Sequence, residues 1–195
     1  MSPRILVIPG SRRLASHNRK LAAEAARLLA LTSATVTLLD LSDYPLPLYD
    51  GDVEETDGIP EPAMLLAERI AEQDGLLLVS PEYNASVPPL LKNAIDWVSR
   101  VRKIKGRPVQ PFRRLVVGLA AASPGRLGGL RGLQSLRPIC EALGAEVMTS
   151  QVTVADAANA FDDKGRLHEE HARTSLDTLV EQLLAQSRVL GRHQP

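Results

Sequence analysis

Between the apolar run Ile5 to Ile8 and a segment carrying Leu21, Ala25, Leu28 and Leu29 at helical spacing lies Gly10-Ser11-Arg12-Arg13-Leu14-Ala15-Ser16-His17-Asn18. The periods on either side make this a strand-to-helix loop. A helix start leaves four backbone N–H groups without intrahelical partners and carries the positive end of the helix dipole, so it favours an anion. Ser11, Arg13, Ser16 and Asn18 add side-chain donors, and the loop reads as a phosphate cradle. An ordinary capped turn is the alternative, because Ser and Asn are common N-caps. One cap accounts for one polar group and leaves Arg13 and a second hydroxyl over. The lysine of a P-loop and the second glycine of a dinucleotide fingerprint are both absent.

Two other loops have suitable chemistry. Pro81-Glu82-Tyr83-Asn84-Ala85-Ser86 follows the apolar Leu76 to Val79, and Ser123-Pro124-Gly125-Arg126-Leu127-Gly128-Gly129 follows Leu115 to Ala121. Backbone amides, Tyr83 and Asn84 in the one, and the close approach that glycine permits in the other, could bracket the edge of a ring system. Magnitudes require such a ring. Micromolar binding takes about 8 kcal/mol, while a hydrogen bond to a charged group nets roughly 1.5–3 kcal/mol and a helix dipole roughly 0.3–2 kcal/mol. Association entropy takes several kcal/mol back, so something flat and apolar must be buried with the phosphate. A mononucleotide with a large heterocycle fits.

The elements that must position these loops follow from the hydrophobic pattern. Strands are predicted over about Arg4 to Ile8, Ala34 to Leu39, Gly75 to Ser80, Leu115 to Ala121 and Ala145 to Thr153. Helices are predicted from the cradle to about Leu31, from Pro62 to about Gln73, from Pro88 and Pro89 onward, around Cys140, and over about His168 to Leu190. Leu41 to Pro60 reads as one long loop, Arg100 to Arg113 as a polar connection and Asp162 to Gly165 as a turn. Apolar strands alternating with helices imply an α/β, three-layer, doubly wound sandwich with a five-stranded parallel sheet. Five strands suit the order 2-1-3-4-5, whose switch point lies between the first and third strands. All three loops then emerge at one carboxyl edge.

Composition narrows the partners. The chain has 195 residues, 44% hydrophobic and 24% charged, with a formal net charge of zero, which suits a single domain, residues 1–195. With no basic excess, neither nucleic acid nor an anionic membrane is an expected partner. A lone cysteine, Cys140, falls on an apolar stripe and reads as core; with no membrane span or leader pattern, a cytoplasmic location is expected.

Taken together, Gly10-Ser11-x-Arg13-x-x-Ser16-x-Asn18, Pro81-Glu82-Tyr83-Asn84-x-Ser86-x-Pro88 followed by Leu91-Lys92-Asn93-Ala94-Ile95-Asp96-Trp97, and Ser123-Pro124-Gly125-x-x-Gly128-Gly129 resemble the NAD(P)H-dependent FMN reductase family. This family is flavodoxin-like and takes in chromate, quinone and azo-dye reductases. The resemblance implies that Ser11, Arg13, Ser16 and Asn18 hold the FMN phosphate with His17 nearby. It also implies that Pro81, Glu82, Tyr83 and Asn84 meet the isoalloxazine edge, and that Ser123, Pro124 and Gly125 lie beside its pyrimidine end. NADPH or NADH would be the co-substrate, a small flavin, quinone, azo compound or metal oxyanion the acceptor, and a homodimer or homotetramer the assembly, with Tyr49 and Asp50 approaching a neighbour's flavin. The Val109 to Arg113 stretch departs from the shorter connection the family leads one to expect.

The implied reaction has two steps: a nicotinamide passes hydride to flavin N5 and leaves, then an acceptor takes the electrons. Since the cofactor carries this chemistry, no obligatory acid or base is expected. Backbone amides of the Ser123 to Gly129 loop, at the start of a helix, are expected to stabilise charge near flavin N1. Glu82 is expected to matter through its backbone or a structural salt bridge, and Trp97 through packing or an interface. Arg126 suits an anionic partner or solvent equally. A flavodoxin-type electron carrier and a flavin-free interaction module on the same scaffold are the competing readings. The neutral charge and Arg13 set the chain apart from acidic carriers that bind phosphate with threonine-rich loops.

Overall fold

A computed structural model describes residues 2–192. Five parallel strands, β1 (Arg4–Pro9), β2 (Thr35–Leu38), β3 (Gly75–Val79), β6 (Val116–Ala122) and β7 (Glu146–Val154), form one sheet in the order β2-β1-β3-β6-β7. This is the predicted 2-1-3-4-5 arrangement. β1 and β3 lie side by side, with Ile5 opposite Gly75 and Pro9 opposite Val79. The intervening β4 (Lys103–Ile104) and β5 (Arg107–Pro108) form a separate antiparallel hairpin.

The strands are apolar on both faces because helices cover both. Leu6, Ile8, Leu76, Leu78, Val117 and Leu119 pack with α3 (Glu61–Ala71), α4 (Pro89–Arg100) and α5 (Leu130–Ala142). The alternate residues Ile5, Val7, Leu77, Val79, Val116 and Ala120 pack with α1 (His17–Ala30) and α6 (Glu170–Leu190). Period-two alternation thus sorts each strand's side chains between two cores. Cys140 lies in the first of them; burial pushes its thiol up to about 12, so it is a core residue and not a thiolate nucleophile.

Two segments differ from the sequence reading. Leu41 to Pro60 contains a 3-10 turn at Leu41–Asp43 and the helix α2 (Gly51–Asp57), whose Asp50 N-cap accepts from the Asp52 N–H. α2 buries no residue and so lacks the apolar period by which helices are found. The polar connection holds the β4–β5 hairpin, turned by Lys105 and Gly106 at φ values of 50° and 78°, the left-handed conformation of a two-residue hairpin loop.

The rest of the long segment is fastened to α4. Asn93 Nδ2 and Trp97 Nε1 both donate to the Pro47 carbonyl at 2.8 Å, and Asn93 Oδ1 accepts from the Tyr49 N–H. Tyr49 sets its ring edge-on to Trp97 at 5.0 Å and donates its hydroxyl to Glu54, which Arg100 also holds. Trp97 is therefore a packing residue with a polar anchor. Asn93, to which sequence reasoning gave no role, shares that task.

Candidate functional site: a crevice at the carboxyl edge

The loops after β1, β3 and β6 meet above the sheet, as parallel strands require. They enclose a cleft of about 190 Å³ lined by Ser11, Arg13, Ser16, His17, Asn18, Pro81, Glu82, Tyr83, Ala122, Ser123 and Pro124. Ten of the twelve residues singled out in the sequence therefore share one cleft. Asn84 and Gly125 do not line it. Asn84 is exposed, at φ 49° in a tight turn closed by reciprocal backbone bonds between Tyr83 and Ser86, and the Gly125 N–H is bonded to Ser123 Oγ. A cleft of about 500 Å³ at the opposite edge, between Arg102, Val109, Arg113 and Arg192, receives none of the three loops.

Within the cradle, Ser16 occupies the N-cap position of α1 in extended conformation, yet its hydroxyl makes no capping bond. Among the described residues, the His17 and Asn18 N–H groups bond no protein acceptor, and Ser11 Oγ accepts from the Arg13 N–H. The Arg13 guanidinium has only a 3.5 Å contact to the Ala15 carbonyl. Donors and a cation are thus left free at a helix start, an arrangement able to hold a phosphate monoester.

His17 adds a signature of its own. Its Nδ1 is buried without a hydrogen-bond partner, and burial, Lys20 and Arg13 hold its pKa below the ordinary 6.5. A depressed histidine resists protonation in the folded state, so as pH falls through 6.5 the unfolded chain takes up the proton first. Stability of the free protein is therefore expected to decline below about pH 6.5. Urea midpoints between pH 7.5 and 5.5 should fall less steeply in His17→Gln, and 20-fold excess phosphate should flatten the wild-type slope towards it.

Asn18 contributes differently from the expectation that its side chain holds phosphate. Its amide Nδ2 donates to the Ala122 carbonyl at 2.8 Å and its Oδ1 accepts from the Ala122 N–H at 2.9 Å, all buried. The amide stands in for a neighbouring strand where β3 no longer pairs with β6. What Asn18 leaves to the cleft is its main-chain N–H.

The third loop presses against the sheet. Gly129 has φ 94°, and a Cβ there would lie 2.6 Å from that of Ala121. The amides expected to act there are not all free, since the Ser123, Gly125 and Gly128 N–H groups donate to the Val154 carbonyl, Ser123 Oγ and the Gly125 carbonyl; past the loop, Glu82 Oε2 accepts from the Arg131 and Gly132 N–H groups, and Arg131 Nε donates to Oε1 at 2.8 Å. Glu82 thus makes a structural salt bridge. Arg126 is exposed without an ion pair among the described residues, and Lys92 pairs with Asp96 on α4.

The family described as NADPH-dependent FMN reductase matches residues 3–159. A quinone reductase of Escherichia coli (strain K12) is 38% identical over 144 residues, covering 74% of this chain and 72% of that protein. An NAD(P)H-dependent FMN reductase of Pseudomonas aeruginosa is 35% identical over 181 residues, covering 92% of each. Among solved structures, a flavoenzyme NAD(P)H:(acceptor) oxidoreductase from Paracoccus denitrificans superposes with a TM-score of 0.79 at 27% identity, over 97% of this chain and 99% of that one.

Proposed function

Because the chain belongs to the NADPH-dependent FMN reductase family and is an NAD(P)H-dependent flavin oxidoreductase, we propose that it holds FMN in the carboxyl-edge crevice and reduces quinone-type acceptors. The observation that carries the site is the open donor set of the cradle: an uncapped α1 start, a free Ser16 hydroxyl, Arg13 and the unpartnered His17 Nδ1. These fit a phosphate monoester. The cleft is smaller than the roughly 300–1,000 Å³ that encloses a drug-sized ligand, so it suits the phosphate and ribityl tail, with the ring at its mouth. Each loop there carries one exposed apolar side chain, Leu14, Tyr83 and Leu127, as a flat apolar guest requires.

Bound FMN supplies the redox chemistry, accepting hydride from a nicotinamide and releasing electrons to the acceptor. The protein's part is to grip the phosphate with the α1 start, Ser11, Arg13 and Ser16, to border the ring with Pro81 to Asn84, and to bring Ser123 to Gly125 against its far end. The relatives named quinone reductase support the acceptor class. The same reading takes the whole chain as one FMN-binding domain, a cytoplasmic homodimer or homotetramer; among the described residues no helix is long and apolar enough to cross a membrane.

Purified protein is expected to be yellow, to release FMN on denaturation, and to bleach anaerobically with NADPH or NADH and recolour with benzoquinone. A colourless protein that takes up no FMN contradicts the site. Bleaching without recolouring by any quinone contradicts the acceptor class. Sedimentation velocity measures the assembly.

A further inference from the structure

We propose that Glu82 is a positioning residue whose carboxylate neutralises the amino-terminal end of α5 and thereby lowers the reduction potential of bound flavin. The proposal rests on the FMN reading above. α5 begins after Gly129, which has no side chain to cap it, and the cap comes instead from 49 residues earlier in the chain: Glu82 accepts from the N–H groups of Arg131 at 3.1 Å and Gly132 at 3.2 Å. The approach is built into the sequence of α5. A Cβ on residue 132 would sit 3.1 Å from both Cα and Cβ of Glu82, so glycine at that position lets the second loop lie against the helix.

Glu82 is itself one of the crevice-lining residues and its side chain is only 9% exposed, whereas that of its partner Arg131 is 56% exposed. Charge on Glu82 is therefore felt in the crevice with little screening, and charge on Arg131 is screened by water. An uncapped helix start would present a partial positive charge to the crevice and favour electrons arriving on a flavin there. With the carboxylate seated on it, that pull is cancelled. Positive charge is left at the phosphate end, on Arg13, where it favours binding of the tail. The grip on the phosphate and the potential are thus governed by different loops.

The test is anaerobic redox titration of the FMN-loaded protein against a reference dye. Glu82→Gln keeps an oxygen to accept from the α5 N–H groups and removes the charge. With the protein kept saturated with FMN, its equilibrium constant for two-electron reduction should rise on the order of tenfold, about 30 mV. Arg131→Met leaves both capping N–H groups in place and removes the screened positive charge, so the potential should move the other way and by less. Opposite signs support the proposal, since a purely structural role gives no reason for them. An unchanged potential in Glu82→Gln, or shifts of the same sign, overturns it. Should Glu82→Gln not fold or not retain FMN, Arg131→Met decides: a lower potential supports the proposal and an unchanged or higher one overturns it. Wild-type protein that binds no FMN overturns the functional reading, and the assignment falls with it.

Discussion

Asn18→Ala is expected to lower stability by about 2–4 kcal/mol, measured by urea unfolding of the free protein, and to weaken FMN binding as well. The side chain lies 104 residues from Ala122 and satisfies both backbone groups of that residue. Removing it leaves a buried N–H and a buried C=O without partners, at roughly 1–3 kcal/mol each. Water entering from the adjacent crevice keeps the total near the low end. Binding suffers because the same two bonds hold the start of α1 against the end of β6, that is, the cradle against the third loop. Asn18→Asp is expected to do no better than alanine. It keeps an acceptor for the Ala122 N–H, sets an oxygen against the Ala122 carbonyl, and adds negative charge beside the cradle. A stability loss under about 0.5 kcal/mol in Asn18→Ala, well below what two orphaned groups cost, would show that the brace is not used.

That role explains how far sequence could be followed here. The apolar runs and the loop compositions are local signals, and they sufficed for the five-stranded order and for the meeting of three loops at one edge. The type of Asn18 drew attention to a residue that does line the crevice, but its partner is set by tertiary structure, and a helix-start asparagine reads equally as a phosphate ligand. Glu82 and Arg131 are 49 residues apart and concealed one another in the same way. Asn93 stood out as part of a motif without a visible purpose, and Trp97 as a packing or interface residue without a visible partner, because the Pro47 carbonyl they share belongs to a segment read as one long loop. α2 escaped for a different reason. None of its residues is buried, and its one local sign was the capping Asp50.

The cradle itself predicts the largest effect on the cofactor. Arg13→Ala combined with Ser16→Ala should raise the FMN dissociation constant about 10²–10³-fold, since two hydrogen bonds to a charged phosphate contribute roughly 1.5–3 kcal/mol each and each 1.4 kcal/mol is a factor of ten. The exposed position of Arg13 places the sum near the low end and makes its share fall with salt. The main-chain donors of His17 and Asn18 remain, so binding is weakened and not abolished. Neither removed side chain makes a strong bond within the free protein: the Ser16 hydroxyl caps nothing, and Arg13 has only its 3.5 Å contact. Urea midpoints should therefore stay close to wild type, which separates this variant from Asn18→Ala. Riboflavin, which lacks the phosphate, isolates the cause. Its affinity should be weak and nearly equal in wild type and double variant, because the two deleted groups have nothing to hold. If riboflavin and FMN lost affinity in the same proportion, the deleted side chains would be acting on the ring and not on the tail, and the phosphate assignment of this loop would be wrong.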